Sequence, residues 1–195
     1  MLTGDAPAAV PLAREALVLA RQIGAPALVA RSLLAVGVTV ARTDPGQARA
    51  CLRESRELST ALGYQSTVDL TWATAIAFLT GDRAATLEFG RPAIRALQRG
   101  RDRRLMGLNL HAIAGMLAAT RPEAAAIIQG AAETYVVQSP MFAELIGPAM
   151  TAALGEARAR ELRARGADMD WDQALAYTLT QISQALSELN SPAPP

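Results

Sequence analysis

Side chains that commonly carry enzyme chemistry are scarce in this sequence. It has one histidine, His111, and one cysteine, Cys51, and all 19 of its basic residues are arginine. A zinc site of the usual Cys/His kind and a Cys–His nucleophilic pair both lack parts, because one residue of each type leaves no partner to spare. The absence of lysine excludes a P-loop lysine and a Schiff-base lysine. We therefore expect no enzyme activity, no catalytic residue, no metal site and no cofactor.

Three aspartates, Asp168, Asp170 and Asp172, come closest to a pair of catalytic carboxylates. They alternate around a predicted helix start, where the helix dipole favours acidic side chains. Helix capping explains them without acid/base catalysis.

The sharpest charge feature is a run of four arginines, Arg99, Arg101, Arg103 and Arg104, around Gly100. Guanidinium groups suit phosphate or carboxylate, so these residues are candidates for an anion contact. The run lacks interleaved aromatic residues, which favours a solvated loop between helices. With a net charge of +1, the chain has no global attraction to nucleic acid, and we expect no direct nucleic-acid binding.

Five further residues are candidates for a groove that binds a partner, because they stand on predicted apolar helices: Arg31, Asp69, Trp72, Asn109 and His111. If those helices line the concave face of a helical array, these side chains would contact the partner. Single polar residues on such helices more often satisfy neighbouring backbone groups, so a core histidine is the favoured interpretation of His111.

The elements that carry these residues recur along the chain. The sequence Leu-Thr-Gly-Asp occurs at residues 2–5 and again at 79–82, and apolar helices are predicted over 28–41, 68–79 and 105–118. The aspartates predicted to begin the intervening helices are Asp5, Asp44 and Asp82, and the glycines predicted to end them are Gly24, Gly63 and Gly100. Successive members of each set are separated by nearly the same number of residues. A period of about 38 residues predicts stacked helix pairs.

The composition agrees with this class of fold. The chain is 51% hydrophobic and only 4% aromatic, with abundant alanine, which favours closely packed helices over a β-sandwich. We predict an all-α protein, a right-handed α-solenoid of helix pairs with a C-terminal helical cap. The longest apolar stretch, residues 26–41, is too short to span a bilayer, and no leader precedes the first helix, so we expect a cytoplasmic protein.

The repeat pattern predicts where the parts of the chain begin and end. Repeats are expected over residues 1–138, with a helix over 123–137, and a cap over 139–189. In the cap, a helix over 141–165 is expected to bend near Gly147 and Pro148 and to end at Gly166. Asp170 and Gln173 predict a capping box for a helix over 171–189, which should close the stack, and residues 190–195 are expected to be a disordered tail.

The first repeat unit is predicted to be incomplete. Residues 2–5 correspond to the end of a first helix whose body is missing, so the helix over 8–23 should leave an apolar face uncovered by its own chain. Its apolar positions are Leu12, Ala16, Leu19 and Ile23. We therefore expect either a fragment of a longer protein, which is favoured, or a homodimer that buries this face.

Three segments resemble the tetratricopeptide-like C-terminal region of actinobacterial regulators that join an ATPase core to a helical array, often with a LuxR-type DNA-binding or adenylate cyclase domain. They are the repeats at 44–63 and 79–85, the segment 122–133 with its Gly-Ala-Ala, and the motifs at 153–156, 165–167 and 172–177. The resemblance implies a non-enzymatic interaction or sensing module of a bacterial transcriptional or signalling regulator. Its partners would be a protein or peptide, or the ATPase and DNA-binding domains of a larger chain, and no membrane.

A small-molecule receptor is the alternative. In that hypothesis an apolar groove between the repeat helices, near Trp72, Met106 and His111, holds an effector. An enclosed apolar pocket with convergent polar groups would favour the receptor, whereas a shallow groove lined by Arg and Asn would favour a peptide.

Overall fold

The computed structural model describes residues 6–63, 65–135 and 140–190, and within them every regular element is an α-helix. The prediction of an all-α protein is confirmed. The helices are α1 (Ala6–Ile23), α2 (Pro26–Val40), α3 (Pro45–Leu62), α4 (Thr67–Leu79), α5 (Arg83–Gly100), α6 (Arg103–Leu117), α7 (Pro122–Glu133), α8 (Pro140–Leu154), α9 (Glu156–Ala167) and α10 (Trp171–Asn190).

The helices follow the period of the sequence. α1, α3 and α5 are equal in length. Together with α7 they begin at regularly spaced positions, Ala6, Pro45, Arg83 and Pro122. The echo at residues 2–5 and the predicted boundary at 138/139 lie outside the described residues.

The chain forms two compact units, residues 1–82 and 83–195. In the first unit α2 is the central helix and packs against α1, α3 and α4. Its core joins Ala13 of α1, Leu33 and Val36 of α2, and Cys51 of α3. Small residues at the contacts let the helices approach closely, and a methyl group on Gly37 of α2 would lie 2.8 Å from Ile76.

In the second unit α7 packs against α6 and α9, and α10 lies against α5 and also reaches α6 and α7. Ile94, Met106, Ile113 and Ile128 are fully buried there. α9 covers α7, whereas α10 returns along α5.

Most of the predicted helix ends are found in the structure. The Asp44 carboxylate accepts a hydrogen bond of 2.9 Å from the backbone N–H of Gln47, and Gly24 and Gly63 have the left-handed φ values of 69° and 62° that favour glycine. The third marker differs. Gly100 is the last residue of α5, and the positive φ of 48° belongs to Arg101 instead.

The predicted helix over 141–165 is two helices. α8 continues through Gly147 and Pro148 and ends at Leu154, and the chain turns at Gly155, whose φ of 75° a residue with a Cβ rarely adopts. Gly166 does not end α9, because the helix continues to Ala167. Gly166 packs against the backbone of α7. α7 ends at Glu133, and residues 136–137 of the predicted helix lie outside the described part.

The capping box of α10 is confirmed. The Gln173 N–H donates to the Asp170 carboxylate over 2.8 Å, and the Asp170 N–H donates to the Gln173 side chain over 3.1 Å. The buried face of α10 centres on Leu175, Thr178 and Ile182, with Trp171, Leu179 and Leu186 at its margin. Asn190, the first residue of the expected tail, is the last of α10, and residues 191–195 lie outside the described part. None of the described helices combines the length and the apolarity that crossing a membrane requires.

Candidate functional site

Helix α1 has three faces in different environments, and three consecutive residues lie one on each face. Leu12 is exposed, Ala13 is buried against the core, and Arg14 lines a surface groove. The same order returns one heptad later at residues 19–21. Successive helical residues are about 100° apart, so the exposed apolar face and the groove lie on opposite flanks of the buried face.

The exposed face of α1 is apolar. Leu12, Leu19 and Ile23 are 65%, 49% and 69% exposed, and Ala16 between them is also exposed. These four residues, called the α1 stripe here, follow the spacing of four, three and four that a helix–helix seam uses. The prediction that the helix over 8–23 leaves an apolar face uncovered is confirmed.

The equivalent face of α3 shows what such a stripe contacts. One repeat further along the chain, the counterparts of Leu12, Ala16 and Leu19 face α2, the helix that precedes α3, whereas Leu62, the counterpart of Ile23, is exposed. Cys51 and Leu58 pack against Leu33 and Val36, and the buried Ser55 hydroxyl donates to the Ala30 carbonyl over 2.9 Å. The α1 stripe therefore has the pattern of a face that packs against a preceding helix.

A groove of about 410 Å³ runs between α1 and α3 over α2. Its apolar lining includes Leu17, Leu33, Val36 and Cys51. Cys51 is 8% exposed, and burial, followed by the Glu54 charge, raises the pKa of its thiol, so the thiol is mostly protonated at neutral pH.

Two polar bridges join the walls of this groove. Arg14 Nη2 donates to Gln47 Oε1 over 3.2 Å, and Arg21 Nη2 donates to Glu54 Oε1 over 2.8 Å. Both bridges have the same sequence separation, so α1 and α3 run parallel with one register. The Arg21–Glu54 bridge is a neutral ion pair, whereas the Arg14 guanidinium is bonded to an uncharged amide.

Sequence analysis did not identify this groove. The available signal was the shared heptad spacing of Arg14 and Arg21 on one helix and of Gln47 and Glu54 on another. That spacing defines a line of polar residues on each helix. Only the structure shows that the two lines face each other.

Two of the predicted groove residues, Arg31 and Asp69, contact each other. Arg31 Nε donates to Asp69 Oδ1 over 3.1 Å, and its Nη2 donates to Ser66 Oγ over 3.4 Å. Ser66 and Asp69 also form the capping box of α4. Because the Asp69 carboxylate is mostly buried and already hydrogen-bonded, we interpret this cluster as a structural contact between α2 and α4. Trp72, one turn further along α4, is half-buried.

The other two, Asn109 and His111, are buried on α6. The Asn109 amide donates to the Leu105 carbonyl over 2.8 Å, within its own helix. His111 is 3% exposed, and burial lowers its pKa to about 4, so the imidazole is neutral at physiological pH. Met106 is fully buried as well, so two of the three residues expected near an effector, Met106 and His111, are core residues of the second unit.

The four arginines of the run are exposed, and two of them have partners in the second unit. Arg103 lies over the Tyr135 ring at 5.0 Å and donates to the Thr134 carbonyl over 3.3 Å, and Arg101 is 3.8 Å from the Asp172 carboxylate. Tyr135 in turn packs edge-on against Trp171, with ring centroids 5.3 Å apart, an aromatic pair that sequence analysis missed. The contacts of Arg101 and Arg103 are therefore structural. Arg99 and Arg104 complete the exposed run.

Among the described residues, no group of three or more His, Cys, Asp or Glu side chains is placed to hold a metal ion. Comparison of the chain with protein-family models, with curated proteins and with solved structures gives no match.

Proposed function

We propose that this chain is a non-enzymatic interaction module whose α1 stripe binds an amphipathic helix. The observation that carries the proposal is the contrast between two equivalent faces. On α3, Cys51, Ser55 and Leu58 pack against α2, whereas the same positions on α1, Leu12, Ala16 and Leu19, are exposed. A helix with an apolar face like that of α2 is the partner that such a stripe fits.

The architecture proposed for this module is a right-handed α-solenoid of tetratricopeptide-like helix pairs. The regular starts of α1, α3, α5 and α7 support it, as do the parallel bridges between α1 and α3. Near the start of α2, Arg31 contacts Ser66 and Asp69 at the start of α4, and Gly37 further along α2 lies against Ile76 further along α4, which supports a second parallel pair. In such an array each helix packs mainly on its sequence neighbours, so an end helix presents an open face.

The proposed context is a cytoplasmic bacterial transcriptional or signalling regulator. It is supported by the resemblance of residues 44–63, 79–85 and 122–133 to the helical arrays of such proteins. In that context the partner helix would belong to a larger chain or to a separate protein, and its binding would bias a switch elsewhere.

Molar mass in solution, measured by light scattering over a dilution series, tests the stripe. In a preparation of the isolated chain, a second copy is the available partner, so we expect a concentration-dependent mass above 20.5 kDa. Leu19→Glu should remove the self-association, whereas Leu62→Glu, at another exposed leucine of the first unit, should not. A mass that stays monomeric at all concentrations, or that responds equally to both changes, contradicts the proposal.

One observation favours the alternative function, a small-molecule receptor. It is the groove between α1 and α3, which has a volume typical of small-molecule sites and combines an apolar lining with a few polar groups. Its position differs from the expected one near Trp72, Met106 and His111.

A further inference from the structure

The two ends of the groove between α1 and α3 differ in charge. The bridges Arg14–Gln47 and Arg21–Glu54 are two helical turns apart, about 10 Å along the helix axis. At the Arg21 end the arginine and Glu54 neutralise each other. At the Arg14 end the guanidinium donates to an amide oxygen, which leaves its positive charge without a carboxylate partner among the described residues.

Asp44, the other acid that acts on the Cys51 thiol besides Glu54, is engaged elsewhere. Its Oδ1 accepts the backbone N–H of Gln47 as the N-cap of α3. Of the charged groups that act on the Cys51 thiol at the bottom of the groove, Asp44 has the smallest effect, after Glu54, Arg21 and Arg14. The lining itself contains two arginines and one glutamate, so its formal charge is +1.

We propose that this groove binds a linear aliphatic carboxylate. The carboxylate would replace the Gln47 amide as the acceptor for Arg14, because a guanidinium forms shorter and stronger hydrogen bonds with a charged acceptor than with an amide. The aliphatic chain would run toward the Arg21 end over Leu17, Val18 and Ala50, the exposed or half-buried apolar residues of the lining, with Cys51 at its floor. At that end Arg21 and Glu54 neutralise each other, so no unpaired charge is available to a second polar group of the ligand. This favours a ligand with one charged end.

This inference is independent of the function proposed for the α1 stripe, since Arg14 and Leu12 are on opposite flanks of the same helix. Leu19→Glu should leave carboxylate binding unchanged, and a change at Arg14 should leave self-association unchanged. Failure of one proposal can therefore be told from failure of the other.

The test is a titration of the full chain with octanoate, followed by calorimetry and by the alkylation rate of Cys51. Because Cys51 is the single cysteine, its alkylation reports on this groove alone. We expect a saturable heat and a matching decrease in the alkylation rate. Octanol and octylammonium, which have the same chain with a neutral or a positive end, should bind at least about tenfold more weakly.

Two variants with the same loss of charge locate the site. Arg14→Gln should weaken octanoate binding by about tenfold or more, the loss expected when a charged hydrogen-bond partner is removed. Arg53→Gln, at an exposed arginine of α3 outside the groove lining, should bind like the original chain. The proposal is overturned if octanoate gives no saturable protection of Cys51, if octanol protects equally, or if the two variants behave alike.

Discussion

The contact between α7 and α9 makes a prediction about two glycines. A Cβ on Gly130 of α7 would overlap the carbonyl group of Arg163, and a Cβ on Gly166 of α9 would overlap the carbonyl of Ile127. The contact is reciprocal, since each helix places a glycine against the carbonyl three positions before the glycine of the other. The two backbones therefore touch without side chains between them, a geometry in which Cα–H groups also contact carbonyl oxygens.

The cost of adding a methyl group follows from what it would meet. An overpacked side chain usually relieves strain by moving a neighbouring side chain, at about 1–3 kcal/mol. Here the obstacle is backbone on both helices, so the helices must separate and loosen the contacts of Ala126, Ala131 and Leu162, which are all buried. We take about 3 kcal/mol for this cost and subtract about 1 kcal/mol for the better helix propensity of alanine. Gly130→Ala and Gly166→Ala should each lower the free energy of unfolding by about 2 kcal/mol.

Urea unfolding of the second unit measures this cost. In a Trp72→Phe background, Trp171 is the remaining tryptophan, and its fluorescence reports on that unit. The matched control is Gly100→Ala at the end of α5, where an added Cβ meets no atom within 4 Å, so this change should raise stability by up to about 1 kcal/mol. If all three substitutions raise the urea midpoint alike, α7 and α9 do not touch through their backbones and the argument is refuted.

Three further predictions concern single side chains. Arg121→Ala removes hydrogen bonds of 2.6 to 3.4 Å to the Gln181, Gln184 and Glu188 side chains of α10, so it should speed amide hydrogen exchange in α10, whereas Arg158→Ala, at an exposed ion pair, should not. The folded chain resists protonation of His111, whose pKa falls from 6.5 to about 4, while the unfolded chain binds that proton. Stability is therefore full above pH 6.5 and decreases as the pH falls toward 4, by about 2 kcal/mol at pH 5, and His111→Gln should abolish this part of the slope in urea titrations at pH 7 and 5. Asp69→Ala should cost about 1 kcal/mol in urea unfolding of the first unit, followed by Trp72 in a Trp171→Phe background. It removes the α4 capping box and the bond to Arg31, and an unchanged midpoint would count against both contacts.

The repeat was predictable because its signals are local. Asp44 caps α3 and Gly63 ends it through backbone preferences that need no tertiary context. The prediction that a helix ends at Gly166 was wrong because it relied on the same kind of local signal. Glycine serves two purposes, a left-handed φ at a helix end and a close approach inside a helix, and the sequence alone does not distinguish them. Gly155 shows the first use and Gly166 the second.

The candidate site depends on relations between helices, which explains why sequence analysis found only part of it. Leu12, Leu19 and Ile23 form a pattern within one helix, so their apolar face was predictable. The groove requires the register of α1 against α3, and the burial of Asn109 and His111 requires the packing of α6, which no spacing within one segment defines. The spacing of apolar residues within one helix therefore predicted an exposed face correctly, whereas isolated polar residues did not predict a binding surface.

The position of α1 in its unit couples stability to binding. α1 packs mainly against α2 and leaves its stripe in solvent, so it gains less apolar burial than α2 and α3 and should be the first helix of this unit to open. A partner that binds only the folded helix stabilises it by about 2.7 kcal/mol at a hundredfold excess over its dissociation constant. A helix on the stripe and a carboxylate in the groove both require α1 to be folded, so each should slow hydrogen exchange in α1 on its own. Because α1 is closed in the structure, neither ligand has to shift a population to bind, and the two surfaces bind independently.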